Sequence, residues 1–157
     1  MSKALDLDTG RVINMESDYF VKGTKHMRKD NYKQVFYYYK QGDEAGCDNC
    51  QLALGVMYFE GVDVKQNIDE ALKFLEKSAN QGNSEAHLCL GNIYCSKGDT
   101  VKDLEKALFH YKNAPVTYFM YMKLSYLHSK LDKIPNNQKE ANIESIKKDL
   151  DKLLTKG

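Results

Sequence analysis

Tryptophan is absent from this chain and proline occurs only twice. So little proline leaves few enforced breaks in helix. Long apolar runs are also missing, and none approaches the ~18 residues that a membrane-spanning helix needs. Asp6 and Asp8 interrupt the opening residues, so these cannot form the apolar core of a signal peptide. The expectation is a chain retained in the cytoplasm. Charge of one sign is lacking too: 23 Lys and Arg face 22 Asp and Glu, a formal net charge of +1. That balance implies no general attraction to nucleic-acid phosphates or to anionic membranes. Neither is expected as a partner.

What is present is an ordinary globular composition, 42 % hydrophobic and 29 % charged, with eleven tyrosines. A length of 157 residues suits one domain or one short repeat array. Repeats are visible. Helix-start signals recur at Asn31-Tyr-Lys-Gln34, Asn67-Ile-Asp-Glu70, Asp103-Leu-Glu-Lys106 and Asn137-Gln-Lys-Glu140, spaced by 36, 36 and 34 residues. Three of them carry the cap and third-position pairing of a capping box. A second landmark runs in phase: Leu54-Gly55 returns as Leu90-Gly91 and, degraded, as Leu124-Ser125. Sixteen positions after each small residue stands Ala71, Ala107 or Ala141. Two helices approach closely only where one or both lack bulk, so a small residue facing an alanine predicts a tight helix pair. Tyr58 and Tyr94 lie three residues past the glycines, on the same helix face, and His128 holds that slot in the last unit.

The turns fit this reading. Gly61 and Gly98 sit where the first helices of two units should end, and Gly46 and Gly82 between units. Second helices carry apolar residues at helical spacing: Ala71, Leu72, Leu75 and Ala79, then Ala107, Leu108, Tyr111 and Ala114. The last helix sets Ile143, Ile146, Leu150, Leu153 and Leu154 against a charged face of Lys147, Lys148, Asp151 and Lys152. That pattern suits a terminal capping helix. The first unit is shorter, with Gly23 only twelve residues before Val35. Residues 1–16 show no periodicity and are expected to be an irregular lead-in, with helix beginning near Ser17. Residues 17–157 are expected to form a single all-α repeat domain.

The stretch from Cys50 through Leu54-Gly55, Tyr58, Gly61, Asn67 and Glu70-Ala71 to Ser78-Ala79 and Gly82 resembles a Sel-1-like repeat. That family is a branch of the tetratricopeptide superfamily with a longer loop between its helices. Residues 47–82 carry the resemblance best, and residues 83–114 are a second copy. Residues 115–155 are a divergent copy, and residues 17–46 are similar to the shorter tetratricopeptide form. Phe74 stands where the family often has Trp, Pro115 where it has Ala, and Ser125 where it has Gly. The resemblance implies an α/α superhelix, or solenoid, of about four helix-turn-helix repeats. It also implies a non-enzymatic adaptor that holds a protein or peptide in a concave groove lined by first helices. Residues one and four positions past the glycine face inward in this superfamily. They map to Val56 and Phe59, Asn92 and Cys95, and Tyr126 and Ser129. Earlier on the same helices come Asn49 and Leu52, Glu85 and Leu88, and Phe119 and Met122.

The spacing of residues agrees for the second unit. Leu52, Val56 and Phe59 advance by four and three, so they form one stripe. Cys50, Leu54 and Tyr58 with Gly55 already supply a packing face, so the first stripe is expected to stay partly exposed. Tyr37, Tyr38 and Tyr39 are consecutive on a second helix, so they cannot all face one core; some must reach the surface. Exposed tyrosine is a favoured anchor for a partner.

Catalytic chemistry finds little support. Cys47 and Cys50 have the spacing of zinc or redox motifs, but Cys89 and Cys95 do not repeat it. Buried free thiols are the expectation. A secreted, cysteine-rich branch of Sel-1-like proteins links its units by paired cysteines, yet Ser78 and Ala114 stand at the unit ends here. An antibiotic-binding or hydrolytic role like that of such relatives would need those pairs and an export signal. His26, His87, His110 and His128 fall in different units and form no metal motif in sequence. No nucleophile motif or phosphate loop occurs, so no enzyme, metal or cofactor is expected. A bacterial immunity protein that neutralises a cognate toxin is the other reading of a small single-array chain.

Overall fold

The computed structural model describes residues 3–5, 12–98, 100–115, 118–134 and 141–155. They fall into two compact units, Met1–Asn83 and Ser84–Gly157. The first holds two short strands, β1 (Lys3–Leu5) and β2 (Val12–Asn14). Four helices follow: α1 (Met15–Met27), α2 (Tyr32–Glu44), α3 (Asp48–Glu60) and α4 (Ile68–Asn80). The second holds α5 (Ser84–Lys97), α6 (Val101–Lys112), α7 (Tyr118–Asp132) and α8 (Ala141–Leu154). Helices pack as the neighbouring pairs α1–α2, α3–α4, α5–α6 and α7–α8; α2 also packs on α3, and α6 on α7 and α8. The expected all-α arrangement of paired helices is what forms. The pairs are antiparallel: rising positions on α3 meet falling positions on α4, as Asp48 with Ser78, Gly55 with Leu75 and Tyr58 with Phe74.

The N-terminal segment differs from the irregular lead-in expected over 1–16. β1 and β2 pair antiparallel, with Lys3 opposite Asn14 and Leu5 opposite Val12, and α1 begins at Met15. Strands of three residues are too short to show period-two alternation in the sequence.

Helix starts follow the sequence in part. Asn67 caps α4, its side-chain oxygen accepting from the Asp69 and Glu70 amides. Asn31 occupies the cap of α2 without making that bond. Asp103 is not a cap. Thr100 caps α6, accepting from the Asp103 amide at 3.2 Å while its hydroxyl donates to the Asp103 carboxylate at 2.7 Å. The helix therefore starts one turn earlier than the spacing predicts, because a Thr-x-x-Asp box outcompetes a bare Asp. Asn137 lies outside the described residues.

The glycines do permit close approach, and Gly55 meets Ala71 as expected, but the side chain that fills the space at each glycine comes from one turn further along the partner helix. A β-carbon on Gly55 would lie 2.6 Å from Leu75 Cγ and 3.2 Å from the Ala71 carbonyl oxygen. On Gly91 it would lie 2.6 Å from the Tyr111 ring, and on Gly23 2.3 Å from the Tyr39 ring. Tyr39, Leu75 and Tyr111 are spaced by 36 and are all buried. Each stands one helical turn past the slot of Val35, Ala71 and Ala107, also buried. Helix side chains lean toward the N-terminus, so the space over one turn is covered by a residue from the next.

A ring stack recurs in the same register. His26 stacks on Tyr38, Tyr58 on Phe74 and Tyr94 on His110, with centroids 5.3, 5.6 and 5.7 Å apart. The series ends in the last pair, where His128 turns instead to Asp132 at 3.3 Å and Asp151 at 3.8 Å. His110 also meets His87, the two Nδ1 atoms 2.9 Å apart and the ring centroids 5.2 Å apart. These distances put both nitrogens nearly on the line joining the rings, the geometry of one N–H donating to one lone pair. Burial, then the neighbouring His87 and Lys106, hold the His110 pKa down at about 4.

Two predictions follow from this packing. Gly55→Leu has no room at Leu75 and should destabilise by about 1–3 kcal/mol; an unchanged melting temperature would refute the contact. His110 is neutral when folded, whereas unfolded it takes up a proton below about pH 6.5. Its stabilising contribution is therefore complete above that pH and is lost as pH falls toward 4. His110→Phe keeps a ring on Tyr94 and removes the titration. The drop in melting temperature from about pH 7 to about pH 5 should be smaller in the variant than in the parent.

Candidate functional site

The side chains singled out by sequence lie on first helices, and each unit presents its own set. In the first unit α3 is apolar nearly all round. One face, Cys50, Leu54, Gly55 and Met57, is buried against the neighbouring helices. On the other, Val56 is 39 % exposed, Asn49 is exposed, and Leu52 and Phe59 are half-buried. Tyr58 is half-buried between the two, stacked on Phe74 and edge-on to Phe36 at 5.9 Å. The end of α3 is held firmly. Gly61 closes it in the left-handed conformation, φ +76, and the loop returns two hydrogen bonds. Gln66 Nε2 donates to the Phe59 carbonyl at 2.7 Å, and the Asn67 amide to the Tyr58 carbonyl at 2.9 Å. Phe59 is therefore presented from a fixed backbone.

The second unit departs from the expected lining on α5. Glu85 is exposed and Leu88 half-buried, but Cys95 is buried in the core. Asn92 is engaged inward, its oxygen accepting from the Tyr111 hydroxyl at 3.0 Å. Tyr111 fills the space beside Gly91, so its hydroxyl needs a buried acceptor, and Asn92 supplies it. On α7, Met122 and Tyr126 are 57 % and 52 % exposed, one turn apart, with the Lys130 ammonium 5.7 Å from the Tyr126 ring centre. Ser129 is exposed. The side chain of Phe119 lies outside the described residues.

Four further exposed large apolar side chains were not assigned to a face by sequence: Tyr37 on α2, Phe109 on α6, and Val21 and Met27 on α1. Of the consecutive tyrosines, Tyr39 is core, Tyr38 stacks on His26 and Tyr37 projects outward. Phe109 borders a cleft of ≈ 290 Å³ between α6 and α8, whose polar rim is Glu105, Lys112 and Asp149. Phe109 lies off the stripe of Ala107, Leu108, Tyr111 and Ala114 that the spacing predicts, and is exposed beside the buried Leu108.

The polar chemistry is structural. Asp43, at the end of α2, accepts from Gln51 Nε2 at 3.0 Å and from Lys77 Nζ at 2.9 Å, and Gln81 Nε2 donates to Gln51 Oε1 at 2.7 Å. Ser78 Oγ donates to the Asp48 carbonyl at 2.8 Å. These bonds tie α2, α3 and α4 together. Among the described residues no three His, Cys, Asp or Glu side chains gather as metal ligands, and no helix is long and apolar enough to cross a membrane.

Comparison with known proteins agrees with this geometry. The family model for the Sel1 repeat matches residues 49–83 and 84–114. A comparison with curated proteins gives no match. Among solved structures, a Sel1 repeat protein from Oxalobacter formigenes superposes with a TM-score of 0.60 at 20 % identity, over 75 % of this chain and 50 % of that one. A protective antigen of uropathogenic Escherichia coli strains, displaying an SLR fold, superposes with a TM-score of 0.59 at 23 % identity. That match covers 89 % of this chain and 31 % of the antigen. The chain thus spans half the length of one relative and about a third of the other. It carries two Sel1 repeats, one made by α3 and α4 and the next by α5 and α6.

Proposed function

We propose that this protein is a non-enzymatic binding module of the cytoplasm that holds a protein or peptide partner on the outward stripes of its first helices. The observation that carries this reading is the apolar surface left over after the helix pairs have packed. Leu52, Val56 and Phe59 on α3 have no use in the Gly55 contact or the Tyr58–Phe74 stack. Met122 and Tyr126 on α7 are equally surplus to the core. Groups of this kind on a rigid helix lose little entropy on binding, and aromatic anchors dominate interface energies. The stripes carry little charge, which suits an extended peptide or a protein protrusion better than a phosphate group. Asn49 and Glu85 add polar contacts at the edges; Leu88 contributes in its own unit, and Asn92 is left to hold Tyr111. Four unpaired cysteines accord with a reducing compartment.

The experiment begins with affinity purification of the tagged chain from its native cell, followed by calorimetry with the captured partner. Phe59→Ala should keep the helical spectrum and a melting temperature close to the parent, yet weaken binding at least tenfold, as loss of an aromatic anchor can cost ~2 kcal/mol or more. Tyr58→Ala should instead destabilise the fold by about 2–4 kcal/mol, since it removes both ring contacts. Full-affinity binding by Phe59→Ala would sink the assignment.

A further inference from the structure

We propose that Cys47 and Cys50 form a redox-active dithiol that closes reversibly to a disulfide by exchange with a small-molecule disulfide. The geometry at the start of α3 carries this inference. Cys47 is the N-cap of that helix, in extended backbone with φ −67 and ψ 110. Its Sγ accepts from the Cys50 amide at 3.2 Å, in the place that an oxygen takes in Asn67 and Thr100. Both side chains are buried at this helix start, and the Cys47 sulfur lies over the turn from which Cys50 projects. Three helical residues rise about 4.5 Å and nearly complete a turn, leaving the Cα atoms about 5 Å apart. A disulfide spans roughly 4.4–6.8 Å between Cα atoms. Closing this one asks for side-chain rotation and little backbone movement. The pair offers two ligands only, with no third His, Cys, Asp or Glu gathered beside them among the described residues, so a dithiol fits better than a zinc site.

The two sulfurs are chemically unequal, which sets their roles. The Cys50 thiol, together with the backbone amides of Cys50 and Asn49, stabilises a thiolate on Cys47 and lowers its pKa. The hydrogen bond to Cys47, then burial, push the Cys50 thiol far up. Cys47 is thus the attacking sulfur and Cys50 the resolving one. With oxidised glutathione as oxidant, the Cys47 thiolate attacks one glutathione sulfur. A mixed disulfide forms, the glutathione S–S bond breaks, and one glutathione leaves as a thiolate that takes up a proton. Cys50 then gives up its proton and its sulfur attacks Cys47 Sγ. The mixed disulfide breaks, and the second glutathione leaves and is protonated. Two protein thiols become one disulfide as one glutathione disulfide becomes two thiols.

Access and consequence also follow from the site. Cys47 is only 3 % exposed, but the turn before it is open: a side chain at Gly46, φ +86, would meet nothing within 4 Å. Exchange waits on a local opening of that turn. Cys50 Sγ sits 2.3 Å from where a β-carbon on Gly42 would be, so this thiol fills the seat of α3 against α2. Forming the bond draws the sulfur toward Cys47 and loosens the seat that joins the first helical hairpin to the first Sel1 repeat.

The test incubates the reduced, folded chain with oxidised glutathione, quenches by alkylation and maps peptides by mass spectrometry. The expected product has lost two hydrogens, links Cys47 to Cys50, and returns to four alkylatable thiols with dithiothreitol. A Cys89→Ser, Cys95→Ser double variant should behave as the parent does. Cys50→Ser should trap glutathione on Cys47, whereas Cys47→Ser should gain no adduct at Cys50. The parent map stands by itself if a single-site variant loses its helical spectrum. A linkage that forms in urea but never in the folded chain at equilibrium would overturn the proposal, as would an adduct on Cys50 in place of Cys47.

Discussion

In each of the first three helix pairs a glycine on one helix receives a large side chain from the other. At Gly23, Gly55 and Gly91 even a β-carbon would collide with Tyr39, Leu75 or Tyr111. This constraint fixes the separation of the helices, and much else depends on it. With the axes held close, the residues three positions past each glycine are brought over a ring or chain on the partner helix. That is where His26–Tyr38, Tyr58–Phe74 and Tyr94–His110 stack. Once those faces are used, the remaining surface of α3 cannot be buried within the pair. Val56 stays exposed and Leu52 and Phe59 half-buried as a consequence of how the inside is filled.

The joint between the first two pairs is made differently, by polar groups as much as by apolar ones. In the first unit Asp43, Gln51, Lys77 and Gln81 form a connected chain of hydrogen bonds across three helices. Such a network is costly if any member is left unpaired, so it selects one register of α2 against α3 and α4. Cys50 against Gly42 adds a compact thiol at the same joint. A site whose fit depends on a single sulfur is also a site where a change in that sulfur's bonding is felt by both neighbours. The binding reading and the redox reading therefore rest on different parts of one helix: its outward stripe and its capped start.

The sequence by itself determined the period, the helical class and the turns. Glycine and alanine at fixed phase and one apolar stripe per second helix are local facts, written in spacing, and Gly61, Gly82 and Asn67 behave as their residue types require. It also placed Leu52, Val56 and Phe59 on one stripe, since helix geometry alone sets which residues share a face. Tertiary structure decided what lies more than one element away. It gave the space at Gly91 to Tyr111, turned Asn92 inward to satisfy the Tyr111 hydroxyl, buried Cys95, and brought His87 to His110 across 23 positions of chain. It also separated Tyr37 from Tyr38 and Tyr39. The physical reason is the same each time: periodicity tells which residues share a face of a helix, but only the neighbouring helix, by its direction and the lean of its side chains, decides which of those faces is covered.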